Sequence, residues 1–339
     1  MSRFAERYRR GDTLPAPLDW LLTPASWVQL AGMRWRHAAI PTRVDGRVIS
    51  FGNITAGGVG KTPAVIERAA LEREVGHNVA VLTRGYGSPS TRTPVILRVE
   101  DPASADWPGL AARFGDEPVL IARRVPGVVV VKCADRVAGA RAALAEGCDT
   151  LILDDGYQSV ALARDENILL IDASAPFGNG RIVPRGLLRE PLEAMARATH
   201  IVLTHCGHAR DLDGLRAKIG RFAPDTPIRC TLHAPSHLWR LSDGERFPLD
   251  WLHGREVTAA CAIGQPERFF HTLEALGAMV SRRVVARDHA HLREDALGGD
   301  LPVILTEKDA VRTRPGENRY ALAINLMDWQ PGGGIASNR

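Results

Sequence analysis

A chain of 339 residues with 45% hydrophobic content can bury a sizeable core and is long enough for two packed units. Its 43 cationic side chains nearly balance 39 anionic ones, and no basic stripe with aromatic platforms runs through the body of the chain, so a nucleic-acid binder is excluded. Five scattered cysteines (Cys133, Cys148, Cys206, Cys230, Cys261), none in a Cys-x-x-Cys spacing, exclude a zinc framework and fit a reducing cytosol.

Residues 1–40 form a segment of their own. Arg3, Arg7, Arg9 and Arg10 precede Leu18-Asp19-Trp20-Leu21-Leu22 and Trp27-Val28-Gln29-Leu30, followed by Arg34, Arg36 and His37. Asp19, Pro24 and Gln29 break the apolar part, which falls short of the roughly 20 clean residues of a spanning helix. Tryptophans beside arginines suit a lipid headgroup region, and an amphipathic helix docked on its own domain fits equally well.

From Arg47 short apolar runs alternate with helical stretches. Val48 to Phe51, Val79 to Leu82, Val128 to Val131, Leu151 to Leu153, Ile168 to Ile171 and Ile201 to Leu203 each read as a strand buried on both faces, with helices over Ala64 to Val75 and Asp135 to Ala145. The alternation predicts an α/β fold: a parallel sheet with helices on both faces over 41–206. The rhythm then loosens, with strands at Ile228 to Leu232, Val257 to Ile263, Val284 to Ala286 and Val303 to Leu305, and a helix from Pro266 to Leu276. These give a smaller α/β domain over 207–329, closing the cleft of the first, and a frayed tail over 330–339.

The chemistry gathers in a few short blocks. Gly60-Lys61-Thr62 ends a Walker A pattern whose first glycine position is taken by Thr55. The strand Val48 to Phe51 precedes this loop and a helix follows it, so Thr55, Ala56, Gly57, Gly58, Val59, Gly60, Lys61 and Thr62 become the phosphate cradle of a P-loop. Leu153-Asp154-Asp155-Gly156 places two carboxylates at the end of a buried strand, where their mutual repulsion favours a cation. Asp116, in Gly115-Asp116-Glu117-Pro118, is a candidate general base; the same residue reads as a helix cap with Pro118 in the first turn. His289, beside Asp288, is a candidate to orient such a base.

Taken in order, these blocks resemble the tetraacyldisaccharide 4'-kinases, the lipid A kinases of Gram-negative bacteria. The resemblance covers 52–63, Thr83-Arg84-Gly85-Tyr86-Gly87, Gly115-Asp116-Glu117-Pro118, Leu153-Asp154-Asp155-Gly156-Tyr157-Gln158, Gly178-Asn179-Gly180-Arg181, Leu188-Arg189-Glu190-Pro191, Asp288-His289 and Thr306-Glu307-Lys308-Asp309-Ala310-Val311. It implies a P-loop NTPase-like fold and transfer of the ATP γ-phosphoryl to the 4'-hydroxyl of a tetraacylated disaccharide 1-phosphate, forming lipid IVA. It further implies Lys61 on the phosphoryl group and Mg²⁺ held by Thr62, Asp154, Asp155 and Glu117. Asp116 becomes the base, paired with His289, while Arg84, Gln158, Arg189 and Glu190 line the substrate side. An acyl-chain substrate implies work at a membrane surface, on the cytoplasmic face of the inner membrane, with neither a nucleic-acid nor a protein partner.

Ser159 follows Gln158 where the family commonly has histidine, Arg185 and Leu187 interrupt the usual lead into Arg189, and Ala290 replaces a second histidine. The alternative reading is a membrane-cycling partitioning ATPase, whose loop resembles Gly57 to Thr62. That group carries a lysine before the glycine pair, where this chain has Ala56.

Overall fold

The computed structural model describes residues 11–37, 39–85, 91–102, 104–287 and 290–330. In chain order the strands are β1 (Arg47–Gly52), β2 (Val79–Thr83), β3 (Val95–Leu97), β4 (Val129–Lys132), β5 (Thr150–Leu153), β6 (Glu166–Asp172), β7 (His200–Thr204), β8 (Ile228–Arg240), β9 (Arg246–Phe247), β10 (Glu256–Cys261), β11 (Met279–Val285), β12 (Val303–Thr306) and β13 (Arg319–Asp328). The α-helices are α1 (Ala16–His37), α2 (Lys61–Glu74), α3 (Trp107–Phe114), α4 (Asp116–Arg124), α5 (Arg136–Ala145), α6 (Leu212–Gly220), α7 (Pro266–Ala275) and α8 (Glu307–Ala310).

All thirteen strands among the described residues belong to one sheet, ordered β11-β10-β12-β13-β8-β7-β6-β1-β5-β2-β4-β3, with β9 paired to β8. From β7 to β4 every pairing is parallel, and β3 closes that edge antiparallel. Valine, isoleucine and leucine fill these strands because both faces are covered. Alternate side chains enter opposite layers: Val79 and Val81 pack with Ala64 and Val65 of α2 and Val119 of α4, whereas Ala80 and Leu82 pack with Ala140 and Ala143 of α5.

Beyond β7 the sheet continues through β8, whose first residues pair parallel to β7 and whose remainder pairs antiparallel to β13. β8 runs eight residues past the expected end at Leu232. Pro235, which lacks an N–H, sits where the register shifts, with His237 opposite Ala323 and Pro235 opposite Ile324. Ser236 is thus the extra residue of a bulge, which lets a strand carry a proline. A second core forms beyond β8 around Leu238, Val257, Ile304 and Leu322, with Phe269, Phe270 and Leu273 of α7 over it.

Helix α1 is anchored at Asp19, which accepts hydrogen bonds from Arg181 and Arg185, and at Ser26, whose hydroxyl donates to the Ile182 carbonyl at 3.3 Å. Those arginines hold the Asp19 carboxyl well below the usual carboxylate range. Its other face is bare: Trp20 is 79% exposed and Trp35 81%, with Leu21, Trp27 and Val28 also exposed. Docking on the domain and an outward tryptophan face coexist in one helix. No described helix is long and apolar enough to cross a membrane.

Candidate active site

The site forms at the carboxyl ends of the parallel strands, where α/β sheets bind ligands. Residues 53–60 connect β1 to α2, and Gly60 caps α2 in a left-handed conformation, φ +80°. A Cβ there would stand 2.1 Å from the His233 ring, so only glycine fits on both counts. That ring is pushed down to about 4 by burial and by neighbouring His205, so it stays neutral against the loop.

The loop is tied to its surroundings by main chain and side chain together. Ala56 N donates to Leu187 O at 2.6 Å, Arg189 N to Ile54 O at 2.7 Å, and the Thr204 hydroxyl to Val59 O at 2.9 Å. Asn53 lies at the centre: its amide nitrogen donates to Thr55 O at 2.5 Å, and its oxygen accepts from Lys61 Nζ at 3.0 Å. Thr62 is buried in the first turn of α2.

β5 lies between β1 and β2, so its end delivers Asp154 and Asp155 beside the loop. Asp155 is left-handed, φ +54°. Gly156 follows because a Cβ there would fall 2.6 Å from both Leu153 Cβ and Ser50 Oγ. Asp155 lies 3.3 Å from Lys61 Nζ and 3.1 Å from the Arg189 guanidinium. Burial would raise its carboxyl, but Lys61 and Arg189 outweigh that and hold it below the usual range. Asp154 behaves oppositely, pushed up to about 7 by burial and then by the Glu117 charge.

Asp116 and Glu117 open α4, in the first turn, where a helix favours carboxylates. Arg312, just past α8, reaches Asp116 at 3.4 Å, and Lys308 of α8 pairs with Glu117. Burial opposes the Glu117 charge, but Lys308 and Lys61 together keep its carboxyl low.

The residues expected on the substrate side are placed differently from one another. Arg84 is exposed just past β2, and Arg189 bridges to Asp155. Gln158 turns inward, its amide donating to Asn53 O and to Glu190, both at 2.8 Å. Glu190 is fully buried, with its other oxygen accepting from Arg197 at 2.7 Å; it supports the loop from beneath. His289, Asp288 and Tyr86 lie outside the described residues.

Three side chains at the site carried no role in the sequence reading. Lys308 stood in a quoted block without one. Asn53 reads only as part of a loop, although its amide joins the Thr55 carbonyl to the Lys61 ammonium. Arg136 follows the helix cap Asp135 and carries no motif, yet it is buried, with its NH2 donating to Asp154 O at 2.8 Å. Its Nε and NH1 have no hydrogen-bond partner among the described residues.

These donors fit a nucleoside triphosphate and Mg²⁺. Among the described residues no three His, Cys, Asp or Glu side chains converge as a metal cage. Mg²⁺ does not ask for one, since it takes one or two carboxylates together with phosphate oxygens and water. Asp154, whose carboxyl is pushed up by burial and then by the Glu117 charge, is the group a cation would ionise.

The family model described as tetraacyldisaccharide-1-P 4'-kinase (LpxK) matches residues 18–330. Similar proteins include the tetraacyldisaccharide 4'-kinase of Anaeromyxobacter dehalogenans strain 2CP-C, 42% identical over 299 residues, covering 84% of this chain and 78% of that protein. That of Rhodospirillum centenum is 38% identical over 329 residues, covering 94% and 87%. The LpxK of Aquifex aeolicus, whose crystal structure is in complex with ATP, superposes with a TM-score of 0.77 at 29% identity, covering 92% of this chain and 96% of that one. A P-loop facing paired aspartates is common to many nucleotide enzymes, but this likeness runs through both halves of the sheet, and the chain belongs to the tetraacyldisaccharide 4'-kinase family.

Proposed function

We propose that the protein transfers the γ-phosphoryl group of ATP to the 4'-hydroxyl of a tetraacylated glucosamine disaccharide 1-phosphate, forming lipid IVA. The observation that carries this reading is the convergence of three elements: the α2 N-terminus with Lys61, the β5 end with Asp154 and Asp155, and the acidic first turn of α4. Apart from Ala56 N, which bonds Leu187 O, the main-chain N–H groups of 55–62 cradle the triphosphate, and Lys61 neutralises charge on the transferring group. Thr62, with one or two of the carboxylates Asp154, Asp155 and Glu117, would hold Mg²⁺, which when bound supplies charge neutralisation on the phosphate oxygens. Asp116 accepts the proton of the acceptor hydroxyl, with His289 as its partner. Arg84 and Arg189 face the anionic groups of the substrates, while Gln158 and Glu190 fix Asn53 and the loop.

The outward tryptophans of α1 support attachment to a bilayer surface, which an acylated acceptor requires. The reading places the enzyme on the cytoplasmic face of the inner membrane, with residues 207–329 as the unit that closes over the site. Relatives of this kind give no support to a partitioning ATPase.

The test is incubation of purified protein with γ-labelled ATP, Mg²⁺ and the disaccharide lipid in detergent. Label on the lipid is expected; hydrolysis without lipid labelling would remove the kinase assignment. Asp116→Ala is expected to lose about two to four orders of magnitude in kcat while keeping its ATP affinity.

A further inference from the structure

Lys308 is carried by α8, on the half of the sheet beyond β8, yet its ammonium pairs with Glu117 at the start of α4 in the P-loop half. Two further ion pairs join α4 to α8 or to the residues just past it. Arg312 reaches Asp116 at 3.4 Å while its other nitrogen holds Asp309 at 2.7 Å, and Arg124 of α4 reaches back to Glu307 at 2.5 Å. The stretch around Lys308 is firm, since the Thr306 hydroxyl donates to Asp309 at 2.6 Å and Ala262 N donates to the same carboxylate at 3.0 Å. Burial opposes the Lys308 charge, but Glu117, then Asp116 and Asp154, outweigh it and push the ammonium above the usual lysine range.

Glu117 therefore already has a cation on it. A divalent ion bound at Asp154 and Glu117 would compete for the same carboxylate, because an ammonium and Mg²⁺ repel and one face cannot hold both at full strength. We propose that Lys308 is a positioning residue that holds Glu117 across the cleft before the metal arrives and yields it to Mg²⁺, linking metal loading to the contact between α8 and α4. The inference rests on the assignment of Glu117 and Asp154 to Mg²⁺ made above.

Lysine loss has opposite effects on binding and on turnover. Without the ammonium, Glu117 keeps only the charge of Lys61 beside it and takes the metal more readily; removing a cation at this range corresponds to about a tenfold gain in affinity. Turnover falls, because the acidic turn of α4 loses the group that orients it. A side chain with a merely structural role would weaken both.

The experiment follows Mn²⁺ binding by electron paramagnetic resonance in the presence of saturating ADP, with kcat measured alongside. K308M is expected to bind Mn²⁺ about tenfold more tightly with lowered kcat, and K308R to keep the affinity of the parent protein. Unchanged or weakened Mn²⁺ binding in K308M would overturn the inference. E117Q and D154N separate the two levels: if both bind Mn²⁺ as the parent does, the metal assignment itself fails. If both weaken while K308M is unchanged, only the role of Lys308 fails. The unsubstituted protein gives an independent reading by mass-spectrometric lysine acylation. Labelling of Lys308 is expected to rise severalfold when Mn²⁺ and ADP are added, and constant labelling would again overturn the proposal.

Discussion

Asp154 and Asp155 are neighbours in sequence, yet the first is sealed beneath the loop among carboxylates and the second is matched by Lys61 and Arg189. This difference makes stability depend on pH. Asp154 has a folded value of about 7 against an ordinary 3.8, so the folded protein keeps its proton longer than the unfolded chain does. The stabilisation is present below about pH 4 and is lost as pH rises towards about 7. In Mg²⁺-free buffer, Asp154→Asn is expected to be more stable than the parent by roughly 4 kcal/mol at pH 8 and nearly equal to it at pH 4. Calorimetry across that range decides it, and a gain independent of pH would refute the burial argument. The paired aspartates and the Gly-Lys-Thr ending were legible because motif chemistry fixes them in a few consecutive positions. Arg136 and Lys308 were not, because each acts through a partner distant in sequence; Asn53 was not, because its bonds to Thr55 and Lys61 depend on how the loop folds back on itself.

At the level of elements, the strands buried on both faces were readable from their apolar runs, and α2, α5 and α7 from their periodicity. What escaped had a local reason. α3 contains Pro108 and Gly109, residues of a turn, but Asp106 caps it by accepting from Gly109 N at 3.1 Å. β13 contains Ala321 and Ala323, poor strand formers that a buried central position requires to be small. The length of β8 was hidden by Pro235. For α1 the sequence allowed lipid contact or docking; the helix docks through Asp19 and Ser26 and leaves its tryptophans outward. Replacing Trp20, Trp27 and Trp35 together by serine is expected to reduce binding to anionic phospholipid vesicles by about tenfold or more, while leaving the melting temperature within about 2 °C. Sedimentation with vesicles measures the first and calorimetry the second. Undiminished vesicle binding would show that this face is not the lipid contact. Asp19→Ala, by contrast, removes the shared partner of Arg181 and Arg185 and is expected to loosen the helix itself, read as faster amide exchange along α1.

Across the whole molecule, composition suggested two units and the sheet joins them through one long strand. Ile228 to Cys230 of β8 belong to the pairing with β7, and Thr231 to Arg240 to the pairing with β13. Arg229, at that junction, bonds both Glu67 of α2 and Asp328 of β13. Neither half can release β8 without exposing an edge of the other. A single calorimetric unfolding transition is therefore expected for the intact chain, with coincident loss of far-ultraviolet and tryptophan signals. Two resolved peaks would mean that the halves unfold independently despite the shared strand.

The hold of Asn53 on Lys61 bears on how nucleotide arrives. Lys61 is already drawn out towards the cradle by Asn53, Asn53 is steadied by Gln158, and Gln158 by the buried Glu190. The conformational freedom that a long cationic side chain would otherwise give up on meeting a phosphate has been surrendered during folding. Nucleotide thus meets a preorganised receptor, so changes to Gln158 or Glu190, which stand behind the loop, belong in the entropy of binding.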